Sequence, residues 1–130
     1  MIEALRHLTV AFLFGGMVLY SFGFAAFVFS ALPAESAGPL LRKAFPHFYV
    51  FVIVTALVGA GLAGPSEVEA ASLLLLMAVT AIIARQFLMP AINRATDSGA
   101  KMKFKYLHTI SVLLTLAHIL IAAYVLVRWI

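Results

Sequence analysis

The 130-residue chain contains no cysteine, which removes disulfides, thiolate metal ligands and thiol nucleophiles together. It is also poor in charge: Asp, Glu, Lys and Arg make up 11% of it, where a soluble domain carries about 25%. The five acids, Glu3, Glu35, Glu67, Glu69 and Asp97, all fall outside the apolar stretches, which argues against an acid-based proton pump or cation channel. No phosphate-cradling glycine loop, serine elbow or pair of intramembrane carboxylates is present, so the residues point away from an enzyme acting on its own. What the chain has in quantity is apolar surface, 65% of its residues, more than a soluble fold of this size can bury. A single domain embedded in a lipid bilayer is the economical reading. The net charge of +4 then belongs opposite anionic headgroups and not nucleic acid, because the basic residues border hydrophobic spans.

The most polar stretch is Arg85 to Ser111, RQFLMPAINRATDSGAKMKFKYLHTIS, which holds Arg85, Arg94, Lys101, Lys103 and Lys105 against Asp97 alone. It is expected to form a loop with flanking helix ends at a membrane surface. Around it four spans are predicted, at about residues 8–31, 47–63, 70–89 and 105–128, most of them near the ~20 residues that cross a bilayer. Arg6 precedes the first apolar run, but that run outlasts the core of a secretory signal and is read as a retained helix. Leu32-Pro33, Gly64-Pro65 and Met89-Pro90 mark helix ends, and residues 33–46 read as a surface connector. Ser66 is placed to cap the third helix, with Glu67 and Glu69 in its first turn, and Trp129 to anchor the fourth at the interface.

The predicted architecture is therefore all-α, an integral membrane four-helix bundle with both termini on one side. That side has Arg6 and Arg128 against Glu3, Glu67 and Glu69. The other has Arg42, Lys43, Arg94, Lys101, Lys103 and Lys105 against Glu35 and Asp97, so the positive-inside rule puts the termini outside the cell. The two hairpins echo one another: each has a proline, a basic cluster, an aromatic and then a histidine (His47, His108), although shared topology supplies most of that likeness. Ala56, Ala60 and Gly64 on the second helix, and Gly15, Gly16 and Gly23 on the first, allow close helix approach within a tight bundle, or a homo-oligomer if one such face points outward.

Four histidines are the residues that could carry chemistry. His108, Ser111, Thr115, His118 and Ala122 share one arc of the fourth helix with Phe104. An imidazole as deep as His118 is costly unless it faces protein, so this stripe is expected to line the bundle interior. There it could bond a hydroxyl or carbonyl, ligate haem or a metal, or relay protons. Two imidazoles on one iron must lie at equal depth; His47 and His108, read as opening the second and fourth helices on the same side, form the expected pair for haem b or a metal ion. The haem would be noncovalent, since thioether attachment needs cysteine. His7 is a rival single ligand. Arg85, beside Gln86 and Asn93, can snorkel to the surface or turn inward to an anion such as a haem propionate.

His7 to Tyr20 with Gly15-Gly16, Leu32-Pro33, Phe45-Pro46, Gln86-x3-Pro90-x2-Asn93 and Phe104-x2-Leu107-His108-x2-Ser111 together resemble domain-of-unknown-function 4149, the bacterial relatives of transmembrane protein 205, over nearly the whole chain. That family is similar to small four-helix proteins including the CopD copper-resistance proteins and the HemJ-type protoporphyrinogen oxidase. The resemblance implies a bacterial inner-membrane protein with haem or metal handling as a theme, and a functional role for His7. It also leaves solute transport open. The oxidase's lysine in the third helix has no counterpart here, and Arg85 is a poor substitute because it does not deprotonate. The functional expectations are a cofactor-binding redox or metal-handling protein, a metal or small-solute transporter, or a noncatalytic assembly subunit.

Overall fold

A computed structural model describes residues 1–130, and every regular element in it is helical. The chain forms four legs. The first is α1 (Ile2–Val18), a π-helical turn at Leu19–Phe24 and α2 (Ala25–Ala31). The second is α3 (Ala34–Ala63), followed by a 3-10 turn at Gly64–Glu67. The third is α4 (Val68–Ile83), a π-helical turn at Ala84–Leu88 and α5 (Met89–Asp97), and the fourth is α6 (Lys101–Arg128). Three helical runs, Ile2–Ala31, Ala34–Asp97 and Lys101–Arg128, are long and apolar enough to cross a membrane. The 64-residue run is not straight. It folds back at Gly64, whose φ of 60° is open to glycine at little cost, and its two halves pack along one another.

Neighbouring legs pack in a ring: α1 lies against α3 and α6, α3 against α4, and α6 against α4 and α5. The core runs down the middle through Val10, Leu13, Met17, Phe48, Val52, Leu74, Met77 and Val125, with Ala56, Ala60, Ala70, Ala78 and Ala122 between them. Small residues set the spacing. Gly59 is buried where three legs converge, and a Cβ there would lie 3.2 Å from Leu74 and 3.4 Å from Val10. Ala56 and Ala60 are buried inside the bundle, so that ridge serves packing within the chain, whereas Gly64 belongs to the turn. Gly16 takes the edge of the Phe51 ring, while Gly15 faces open space.

Three expectations about element ends are corrected. Residues 33–46 are not a surface connector: α3 starts at Ala34 and passes through Pro39 and Pro46. Nor does Pro90 end the third leg, which continues to Asp97, so that the run from Arg85 to Ser111 is helical except around Ser98–Ala100. The break there is made by Gly99, at φ 68°. A proline costs its helix one bond and some crowding, and a neighbouring π turn or side-chain donors from the next helix absorb that cost. Here the π turn at Ala84–Leu88 lies just before Pro90. Around Pro46 the carbonyls of Ala44 and Pro46 accept bonds from other legs, which tie this part of α3 into the bundle, while the carbonyl that loses its amide partner to Pro46 is that of Arg42, four residues back. The first leg also begins at Ile2, about two turns before the predicted boundary.

Candidate functional site

The polar side chains fall at three levels. At the end that holds both termini, His7 donates toward the carbonyl of Glu3 at 2.7 Å through Nδ1 and toward that of Trp129 at 3.1 Å through Nε2. A carbonyl only accepts, so both contacts are hydrogen bonds at once only in the doubly protonated ring. Arg6 lies over the Trp129 ring, 5.0 Å from its centroid, and 3.9 Å from Glu67. Arg128 pairs with Glu69 and Glu67, and Tyr124 donates to Glu69 at 2.7 Å. Every acid of the α3–α4 turn is thereby tied to a cation from the first or fourth leg.

At mid-bundle, His118 is buried, 3% exposed, and its Nε2 lies 2.8 Å from the Thr80 hydroxyl. That hydroxyl has one proton and places its oxygen 2.8 Å from the carbonyl of Leu76. With the proton given to Leu76, Thr80 accepts from Nε2–H, which makes His118 a neutral donor across the α4–α6 contact. Thr115 and Ser111 are half-buried on the same arc and Ala122 is fully buried, but Phe104 and His108 are exposed. The expected stripe therefore faces the interior only over its deeper half, and Ser111 bonds the carbonyl of His108 in its own helix.

Near the opposite end, three irregular backbone features coincide. Tyr20, in the first leg's π turn, donates to Ala44 O at 2.8 Å inside a cluster of aromatic rings with Phe24, Phe45 and Phe48. Arg85, in the third leg's π turn, donates through Nε to Pro46 O at 3.3 Å and through Nη1 to Gln86 at 2.9 Å. Arg85 thus turns toward the bundle and holds backbone. Beyond it, Arg42 grips Asp97 in a two-pronged pair at 2.7 and 2.8 Å, which holds the Asp97 carboxyl below its ordinary pKa, through the hydrogen bond first and the charge second.

The four histidines thus divide by what their rings already do. His7 and His118 are engaged by protein. His47 and His108 are exposed and their ring nitrogens bond to no protein group, although the His108 ring stacks on Phe104 at 5.5 Å with 7° between planes. The equal depth expected of His47 and His108 does not hold, because α3 starts thirteen residues before His47. The Arg85–Pro46 bond sets His47 level with about residue 84, and the His118–Thr80 bond sets His108 level with about residue 90. The offset is about six residues, or roughly 9 Å. The legs that carry them are not packing neighbours, since α3 lies on α1 and α4 whereas α6 lies on α1, α4 and α5. One haem held by both imidazoles within one chain does not fit this arrangement, and nowhere do three His, Asp or Glu side chains converge as a metal cage.

Thr80 was not among the expected site residues, although it is the only polar side chain between Ser72 and Arg85, and that isolation is the signal that marks it. The family model for "Domain of unknown function (DUF4149)" matches residues 8–101. No curated protein and no solved structure matches the chain, and the expected likeness to CopD and HemJ proteins therefore gains no support from these comparisons. With most of its length matched, from the first leg to the start of the fourth, the chain belongs to the DUF4149 family.

Proposed function

We propose that the chain is a four-span protein of the bacterial inner membrane, its termini outside, which holds haem b or a metal ion at its cytoplasmic end through the exposed imidazole of His108. The observation that carries this reading is the division of the histidines: the ring nitrogens of His108 are exposed and meet no protein group, whereas each ring nitrogen of His7 lies against a backbone carbonyl and His118 is buried with its Nε2 on Thr80. Lys105 and Lys101 lie about one and two turns before His108 on exposed parts of α6, within reach of the carboxylates of an anionic macrocycle. A haem held there would supply one-electron chemistry near the membrane surface. His47 is the other free imidazole and is the alternative single ligand.

Pyridine haemochrome analysis of purified wild type, His108→Ala, His47→Ala and His7→Ala tests the proposal. Loss of haem in His108→Ala alone is the expected result. Loss in His7→Ala alone returns the site to the outer end, and a colourless, metal-free wild type removes the cofactor reading. That last outcome favours a second reading, a noncatalytic assembly subunit. It draws support from four interior polar groups, Tyr20, Thr80, Arg85 and His118, which bond to groups of the protein itself, as groups that only fix helix register would.

A further inference from the structure

The end of the bundle away from the termini has cations that the chain does not neutralise. Asp97 is taken by Arg42, and the ion pairs elsewhere involve only Arg6 and Arg128 with Glu67 and Glu69. Lys43, Arg94, Lys101, Lys103 and Lys105 are left without an acidic partner. Three of these lysines crowd the start of α6, which has no acid in its first turn and no side-chain cap; the positive end of the helix dipole adds to their charge. Beside them the α5–α6 turn opens a cleft of about 480 Å³ lined by Arg94, Ala95, Asp97, Ser98 and Lys103, in which the one carboxylate, Asp97, is already paired with Arg42. A second groove of about 270 Å³ lies along α6, lined by Met102, Lys105, Tyr106 and Thr109. Met102 and Tyr106 are among the most exposed apolar side chains of that helix, at 79% and 68%. Residues 102, 106, 109 and 113 succeed one another on one helix face, so that face runs from near the charged turn down the same helix to the exposed Leu113.

We propose that the α5–α6 turn is a binding site for an anionic glycerophospholipid. Arg94 and Lys103 take the phosphate, and an acyl chain runs along Met102, Tyr106 and Thr109 toward Leu113. A cationic cleft alone fits any small anion; its place at the end of a helix long and apolar enough to cross a membrane, with exposed apolar side chains at Met102, Tyr106 and Leu113, selects a lipid over free phosphate. The site requires only that the chain lies in a membrane and is independent of any haem.

The test is lipid selectivity of the full chain in phosphatidylcholine vesicles carrying trace spin-labelled phosphatidylglycerol or spin-labelled phosphatidylcholine, read as the motionally restricted fraction. Wild type should prefer phosphatidylglycerol, and Arg94→Gln and Lys103→Gln should each lower that preference about fivefold. Arg94→Lys should retain most of it, and Lys43→Gln, which removes the same charge from α3 at the same end, should leave it intact. An equal loss in Lys43→Gln would show a diffuse surface potential and overturn the site, as would a wild type without preference. Displacement of the labelled lipid by millimolar inorganic phosphate would make it a free-anion site instead. Lys103 is exposed in the first turn of α6, so Lys103→Gln leaves the fold unloaded and decides the matter even if Arg94→Gln fails to fold.

Discussion

A single hydroxyl decides whether the buried histidine is tolerated. Thr80 satisfies His118 while giving its own proton to Leu76, so the two partners are not equivalent. Removing the hydroxyl in Thr80→Val strands an N–H inside the bundle, at a cost of about 1–3 kcal/mol. Removing the ring in His118→Leu forfeits one interhelical bond, worth about 0.6 kcal/mol between membrane helices, and leaves Thr80 bonded to Leu76. Unfolding of the purified protein in mixed micelles should therefore rank Thr80→Val well below His118→Leu, with the double variant close to His118→Leu alone. If His118→Leu proves the more damaging, the imidazole does more than fix register. The inward face of His118 was legible in the sequence because a deep imidazole must meet protein, but its partner was not, since no local spacing relates residue 80 to residue 118. The neighbour of His7 was hidden for the same reason: Trp129, whose carbonyl lies 3.1 Å from its Nε2, is 122 residues away.

Among the helices, the prolines were the least reliable guides. Leu32-Pro33 and Gly64-Pro65 do break the chain, the first in extended backbone, and Gly99 marks the third turn; at Gly64 and Gly99 a glycine takes up positive φ. Pro39, Pro46 and Pro90 do not break it: each costs its helix one bond, and contacts with other legs hold the helix in place. Among them are the bonds from Tyr20 and Arg85 to Ala44 O and Pro46 O, from legs whose proximity no local pattern announces. Close packing gives a sharper element-level prediction. Gly59→Leu should cost several kcal/mol by forcing α1 and α4 away from α3, a clear case of overpacking. Gly15→Leu, which meets nothing within 4 Å, should be nearly neutral by the same unfolding assay. Comparable losses in both would mean that Gly59 is not the point where the legs close.

The Arg42–Asp97 pair joins the start of the second leg to the end of the third. Its side chains are 43% and 59% exposed, so its contribution is small and screened by salt. Because the folded-state pKa of Asp97 is lowered, the pair stabilises above the ordinary carboxylate range and loses its effect as pH falls through the lowered value. Asp97→Asn should thus melt slightly below wild type at neutral pH and alongside it in strong acid. A gap that widened as the pH fell would contradict the pairing.

At the scale of the whole molecule, charge separates the two ends. One gathers both termini with Arg6, Glu67, Glu69 and Arg128 into mutual ion pairs, and the other keeps a surplus of lysine and arginine. That asymmetry was fully visible in the sequence, and it carries the orientation on which the proposed cytoplasmic ligand site depends. The absence of cysteine makes the orientation testable without background, by labelling single cysteines in intact cells with a membrane-impermeant maleimide. Ser66→Cys, in the exposed turn between α3 and α4, should label from outside, and Ser98→Cys, in the basic turn between α5 and α6, should label only after the cells are opened. Labelling of Ser98→Cys in intact cells with Ser66→Cys protected would invert the molecule and contradict the account.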